Sequence, residues 1–307
     1  MLELTLKRPL DQHIDGSQLS PQKLLHIPLA ELMSLPLRTS RSGSVRLEDL
    51  FWVQWPNVPS DMVMIRGDCS LVAGLGHQMS SGALVIDGNA GDRIAEGMRG
   101  GVILVAGNAG EDACAGMRGG IVAVNGNCGD RLATPLPGER SGMRGGDILI
   151  AGNVGDRACQ RMRRGTVCIA GNAGKYLAPH MIAGTILVLG KTAAQWGMGM
   201  QRGSLLFASH PEGETGASLS PCRHLELSFL PLVWNHLRSV QQHLVSLCAP
   251  LQRMPWRSFA IPSTRWVERR IGDVSAGGQG EVLVLQRLSS IASSGDHISS
   301  ESTSPAP

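Results

Sequence analysis

Seven cysteines are the first residues whose type could hold a metal or attack a carbon: Cys69, Cys114, Cys128, Cys159, Cys168, Cys222 and Cys248. Their number is odd and none forms a C-x-x-C pair, so their spacing gives no zinc or iron–sulfur pattern. They read as reduced thiols, mostly buried, the usual place of a free cysteine. His77 and His180 stand alone in their stretches of chain and read as packed or surface residues rather than ligands. Gly74-Leu-Gly76 and Gly197-Met-Gly199 begin like G-x-G-x-x-G, but the last glycine is missing from both and neither opens a helix after a strand. Gly174-Lys175 lacks the earlier glycine and the following Ser or Thr of a phosphate-binding loop. There is no G-x-S-x-G, and no carboxylate pair flanks an obvious cleft. The expectation is a chain with no catalytic, cofactor-binding or metal-ligating residues of its own.

The bulk properties bound the rest. The chain has 307 residues, 42% hydrophobic and 17% charged, a globular composition. A net charge of +3, with Lys and Arg spread along the chain, argues against nucleic acid as a partner. No apolar run reaches the ~18–20 residues of a membrane helix, and the N-terminus has no apolar core of a signal peptide. These features predict a soluble, cytoplasmic protein. Two totals stand out: 39 glycines, and aromatic residues at only 4%. Together they make an internal repeat the first thing to test.

The glycines that close each short apolar run are Gly67, Gly88, Gly107, Gly126, Gly152, Gly171 and Gly190. Most steps between them are 19 residues, and the long step contains an insertion at 134–140 (TPLPGER). A methionine keeps the same period: Met79, Met98, Met117, Met143, Met162, Met181 and Met200. Three residues after each comes a glycine and then a β-rich run, such as ALVID, VILVA, IVAVN and DILIA. With DMVMIR ahead of them these make eight candidate strands bounded by glycine. One strand per 19 residues is too short for paired-helix repeats or propeller blades. What remains is a coil that turns once per repeat and stacks its strands in parallel. The fold class predicted is mainly β: a right-handed, single-stranded parallel β-helix of about seven coils over residues 61–210.

The columns then acquire roles. The methionines point into a narrow interior, where an unbranched side chain fills irregular space. Asn89, Asn108, Asn127, Asn153 and Asn172 share one position and predict an amide-to-amide ladder up the rod. Asp92, Glu111, Asp130 and Asp156 form an acidic column, and Arg99, Arg118, Arg144 and Arg163 a basic one. Guanidiniums stacked ~4.8 Å apart repel. Either solvent and the acidic column offset that repulsion, or the acidic surface of a partner docks on it. The insertion must project outward, and Trp196, in the QWGMGMQ turn at 195–201, reads as an exposed interface anchor.

The ends differ from the middle. Residues 1–60, with Pro9, Pro21, Pro28 and Pro36, read as an α+β cap, since terminal coils otherwise expose apolar faces and unpaired strand edges. Residues 211–288 hold an amphipathic helix at 230–247 and a β-rich stretch, read as a capping or partner region at the other end. Residues 289–307 are Ser-rich and predict disorder.

The repeated GNAGDRIAEGMRGGVILVAGNAG resembles a glycine-rich β-helix domain shared by two groups of proteins. One is the large subunit of glutamate synthase. The other is the C-type, β-helical subunit of formylmethanofuran dehydrogenase and of the bacterial formyltransferase/hydrolase complex. The repeat alone does not choose among them. LTLKRPL near the start, VRLEDLF at 45–51, QWGMGMQRGSLLF at 195–207 and RRIGDVSAGGQGEVLV at 269–284 are similar to the C-type subunit. That resemblance spans residues 1–285 and implies tetrahydromethanopterin-linked one-carbon metabolism, from formaldehyde to formate or CO2. It implies a scaffold subunit without a catalytic centre, and hydrolase-like, formyltransferase-like and dehydrogenase-like partner subunits. Metal ions or molybdopterin would sit in those other subunits, with no cofactor in this chain. The glutamate synthase reading requires an amidotransferase domain and a flavin barrel upstream, for which a 307-residue chain starting at Met1 leaves no room.

Overall fold

This computed structural model describes residues 1–41, 43–55, 60–247 and 260–286. The Ser-rich stretch at 289–307 and Cys248 lie outside the described residues. The N-terminal segment carries β1 (Leu2–Leu6), β2 (Ile14–Asp15), the short helices α1 (Pro21–Leu24) and α2 (Leu29–Met33), β3 (Pro36–Arg38), β4 (Ser44–Arg46), helix α3 (Leu47–Leu50) and β5 (Phe51–Gln54). Then come β6 (Met62–Arg66), β7 (Val72–Ala73), β8 (Ala83–Asp87), β9 (Val102–Val105), β10 (Ile121–Val124), β11 (Arg144–Ile150), β12 (Arg164–Ile169), β13 (Thr185–Val188) and β14 (Ser204–Phe207). The chain ends with β15 (Arg223–Glu226), helix α4 (Leu230–Leu247), β16 (Trp266–Gly272) and β17 (Gly280–Leu285).

The architecture is mainly β, dominated by a 13-stranded, mostly parallel sheet. From β8 through β14 each strand pairs in parallel with the next, Val122 lying beside Ile103 on one side and Ile148 on the other. The parallel run is longer than the repeat suggested. β1 joins it beside β6, and β17 joins it beside β14. Antiparallel strands close both ends, β5 against β1 and β15–β16 against β17. Opposite the sheet, a second ladder one residue wide links Cys69, Ala90, Ala109, Cys128, Val154, Ala173 and Thr192 in parallel bridges. Two parallel ladders per repeat are what a β-helix-like winding of the chain produces.

A third side of each turn uses backbone for which the sequence carries no signal. Arg93, Ala95, Asp112, Cys114, Arg131, Ala133, Arg157, Cys159, Tyr176 and Ala178 all take positive φ between 55° and 61°. Each costs roughly 1–2 kcal/mol for a residue with a Cβ. Stacking offsets that cost. Arg93 N–H donates to Glu111 O in the next turn, while Ala95 N–H donates to Leu75 O in the previous one, so alternate residues bond up and down the rod.

The methionine and glycine columns form one device. All seven methionines are buried. A Cβ on Gly101 would lie 2.7 Å from Met79 Cε, and one on Gly120 would lie 2.7 Å from Met98 Cε. The methyl of each turn therefore fills the hollow left by the glycine of the next. At both glycines φ is positive (83° and 90°), so a side chain there is strained as well as crowded.

The sheet is buried on its outer face too. Inner positions such as Ile103, Val105, Val122 and Ile148 join the coil core. Outer positions Val85, Leu104, Ala123, Leu149, Cys168, Leu187 and Leu206 pack with Leu230, Trp234, Leu237, Val240 and Leu244 of α4. The 230–247 helix, read with its segment as a capping or partner region, lies along this outer face; β15–β17 close that end of the sheet.

Candidate functional site

The surface features singled out in the sequence fall around the 134–140 insertion. Each arginine of the basic column bonds through its backbone N–H to the methionine carbonyl one turn back, Arg118 to Met98 O and Arg144 to Met117 O, which aligns the side chains. Arg99, Arg118 and Arg163 are exposed and Arg144 is half-buried. The column is not the bare charge that its sequence suggests. Glu139, from the insertion, takes Arg118 at 3.0 Å through one oxygen and Arg144 at 2.7 Å through the other. Among the described residues, Arg99 and Arg163 make no ion pair within 4.0 Å, so the free charge sits at the two ends of the column.

The insertion projects only at its tip, where Pro137 and Gly138 are exposed, while its first residues lie down on the turn. Thr134 is buried, with its hydroxyl donating to Arg131 O, and Leu136 fills the space beside Gly116. Apolar Leu136 gains by covering the turn, and Glu139 is then delivered to the arginines. Between the insertion and the adjacent turns lies a depression of about 500 Å³. Its polar lining includes Arg93, Glu96, Asp112, Arg131, Glu139 and Arg161. Arg131 is held across it, 2.8 Å from both Asp112 oxygens and 2.6 Å from Glu111 Oε2. Hydrogen bonds that Arg131 donates to Asp112 and then to Glu111 push its pKa up further, so this charge is fixed in place.

The asparagine column is real as a stack but bonds differently from the prediction. Asn89 Oδ1 accepts from Asn108 N–H, Asn108 Oδ1 from Asn127 N–H, and Asn127 Oδ1 from Asn153 N–H, at 2.7–2.9 Å. Asn153 and Asn172 continue the pattern to Asn172 N–H and Lys191 N–H. The side-chain oxygens thus cap backbone donors at the bend after each strand, where an inter-strand partner is lacking. Asn108 also bonds amide to amide with Asn89, at 3.3 Å, but this is a supplement at one step and not the principle of the stack. Asp92, Asp130 and Asp156 cap backbone in the same way, for Glu111, Asp156 and Lys175 N–H. The aspartates of the acidic column are therefore committed to backbone, Glu111 pairs with Arg131, and Glu139, not these residues, pairs with the arginines of the basic column.

Trp196 is not the exposed anchor that its turn suggests. It is 5% exposed, packs edge-on to Phe207 at 5.3 Å between ring centroids, and donates from Nε1 to Gly213 O at 3.2 Å. The glycines around it let the ring turn inward, so it anchors the last turn of the coil and offers no face to a partner. Among the described residues the exposed aromatics are Trp52 on β5, 64% exposed, Trp55 just after it, Phe229 ahead of α4, and Trp266 on β16. The segment FWVQW at 51–55 carried that signal.

The cysteines divide in two. Cys69, Cys114, Cys128, Cys159 and Cys168 are buried. Burial pushes the thiols of Cys128, Cys159 and Cys168 up to about 12, which leaves no thiolate to react. Cys222 is half-exposed, and the fold brings it beside His224 and Glu268. No metal ligand was expected from the sequence, and this group escaped notice there because Glu268 is remote in the chain and only Cys222-Arg223-His224 is local.

Residues 140–218 match the GXGXG motif family. Comparison with curated proteins gives no match. Over 93% of its length the chain superposes on the whole of one chain from the crystal structure of the formyltransferase/hydrolase complex of Methylorubrum extorquens in complex with methylofuran, with a TM-score of 0.73 and 28% sequence identity. The resemblance read from the repeat and its flanks thus holds in three dimensions: this chain is built like a subunit of a formyltransferase/hydrolase complex. Among the described residues no helix is long and apolar enough to cross a membrane.

Proposed function

We propose that this chain is a non-catalytic scaffold subunit, of the C type, in a formyltransferase/hydrolase or formylmethanofuran dehydrogenase-like complex of tetrahydromethanopterin-linked one-carbon metabolism. On this reading the rod is a right-handed β-helix of about seven coils, assembled in the cytoplasm. The observation that carries it is the extent of the likeness: 93% of this chain against all of a subunit of such a complex, flanks included. The GXGXG match at 140–218 alone is also compatible with a β-helix domain of a glutamate synthase-like enzyme. Formyl chemistry, and any metal ions or molybdopterin it needs, then belongs to hydrolase-like, formyltransferase-like or dehydrogenase-like sister subunits.

The docking face proposed is the arginine column with the insertion that covers it. Arg99 and Arg163 present open guanidinium forks at its ends, suited to carboxylates of a partner, and Glu139 holds Arg118 and Arg144 ready between them. The two prolines of the insertion lower the ordering cost of binding. The test is co-expression with the sister subunits followed by size-exclusion chromatography. Deleting residues 134–140, or replacing Arg118 and Arg144 together by Ala, should leave the isolated fold intact and weaken assembly. Normal assembly by both variants would refute this face. The purified chain alone should neither transfer nor hydrolyse formyl groups, and turnover that survives repurification would sink the scaffold role itself.

A further inference from the structure

The end of the chain gathers chemistry that neither the repeat nor the docking face uses. β15 is the outermost strand at its end of the sheet, and its antiparallel register with β16 sets His224 opposite Glu268. Cys222 lies two residues before His224, just ahead of β15. The donor atoms of Cys222, His224 and Glu268 all lie within 4.8 Å of one another. Cys222 Sγ is 3.8 Å from His224 Nε2. A sulfur and a nitrogen bound to one tetrahedral zinc ion, at ~2.3 and ~2.0 Å, stand about 3.5 Å apart. The pair needs to close by only a few tenths of an ångström.

The surroundings suit a cation. His210, on the loop leaving β14, places Nε2 3.1 Å from Glu268 Oε2, close to the ~3.3 Å edge of a nitrogen and an oxygen on the same tetrahedral ion. Glu268 is buried, and Arg270 holds its other oxygen at 3.1 Å. A carboxylate offers about four lone-pair sites, so Arg270 can orient it, as outer groups orient metal ligands, without using up its capacity.

We propose that Cys222, His224 and Glu268 bind a Zn²⁺ ion, with His210 as the fourth donor, and that the ion clamps edge strand β15 and the loop after β14 onto β16. Cys222, His224 and Glu268 already cluster, and His210, which reaches Glu268 but lies outside that cluster, moves in to complete a mixed sulfur, nitrogen and oxygen set of four, which fits a structural zinc site. On binding, the S–H bond of Cys222 breaks, sulfur takes the metal, and the proton leaves to solvent. The clamp pins an edge that otherwise presents unpaired backbone groups.

The experiment strips the full-length chain with a chelator and titrates it with Zn²⁺, and separately with Co²⁺ as a spectroscopic probe. About one Zn²⁺ per chain is expected, with release of protons, a higher Tm and slower amide exchange in β15. Co²⁺ should give the absorption of tetrahedral coordination and a thiolate-to-metal charge-transfer band. Cys222→Ser with His224→Asn should lower Zn²⁺ affinity about 100-fold or more while far-UV circular dichroism is unchanged; Cys168→Ala, at a buried thiol outside the cluster, should leave it as it was. Zn²⁺ binding that is absent, or that persists in the Cys222/His224 variant, overturns the site. If that variant does not fold, the Co²⁺ spectrum of the unaltered chain decides: no charge-transfer band means no thiolate ligand, and the proposal falls.

Discussion

The inner and outer faces of the main sheet are buried equally well, yet by different means. Inward, each turn supplies its own core: Met98, Ile103 and Val105 are repeated one turn on as Met117, Val122 and Val124. Outward, Leu104, Ala123, Leu149 and Leu187 have no repeat to meet them and are covered by one helix, α4, contributed once by the end of the chain. The inner core is cooperative along the rod, because each turn buries its neighbour. The outer layer rests on a single element and on the few polar ties that hold it, Trp234 Nε1 to Thr264 O at 2.9 Å and His236 Nε2 to Asp147 Oδ1 at 2.7 Å. Equal burial therefore does not mean equal robustness.

The largest effect expected is at the outer face. Trp234 is 1% exposed and central to the helix–sheet contact. Trp234→Ala should cost about 3–5 kcal/mol, read in denaturant melts. If the outer layer opens as a unit of its own, amide exchange in α4 will quicken while β9–β13 stay protected. Uniform loss of protection across both would erase the distinction between the faces.

At the inner face, Met117→Ala should cost about 2–5 kcal/mol. It leaves a void over Gly146, whose position for a Cβ lies 2.8 Å from Met117 Cε. Exchange should then quicken through the turns on either side, without selective loss at α4. A cost under about 1 kcal/mol would mean that the methionine column fills space without supporting the stack.

A third test sharpens the comparison where coil and C-terminal segment meet. Asp273 is buried, and burial raises its pKa. Hydrogen bonds from Ser275, Ser218 and Gly199 outweigh that and hold it below the ordinary value of 3.8. A carboxylate with a depressed folded-state pKa gives stability that is fully present above its unfolded value and is lost as pH falls through the folded one. Asp273→Asn should therefore cost about 1.5–3 kcal/mol at neutral pH, the range for hydrogen bonds to a charged group, and the cost should shrink below about pH 4. A penalty independent of pH would show that the side chain serves through shape and not charge.

The same contrast explains what could be read in advance. Period 19 exposed the coil because Met, Gly and Asn must recur wherever turns stack. It hid β1 and β17, which pair into the parallel run without belonging to the repeat. The cover on the outer face had a signal: runs such as VILV are apolar at every position, as parallel strands buried on both faces require. The positive φ of Arg93 and Asp112 had none, since stacking imposes it against local preference. Trp196 misled because the glycines that follow it, Gly197 and Gly199, suit an exposed turn and an inward-turned ring equally.

The smallest effect should fall on the corner that carries the proposed docking face. Arg118 is exposed, and its partner Glu139 is shared with Arg144, so losing one guanidinium leaves the carboxylate paired. Exposed ion pairs contribute ~0–1 kcal/mol, because solvent screens them and ordering two side chains costs entropy. Arg118→Ala should change the stability of the isolated chain by less than about 0.5 kcal/mol. A double-mutant cycle with Glu139→Ala should give a coupling of the same small size, falling further with salt. The Arg118/Arg144 double Ala variant is different, since it leaves Glu139 of the 134–140 insertion with neither arginine. That variant should loosen the insertion, raising amide exchange at 134–140 while the strands beneath stay protected. If the single substitution already costs as much as Met117→Ala, the corner is structural in its own right, and the division between a self-supporting interior and a surface free to serve partners is drawn in the wrong place.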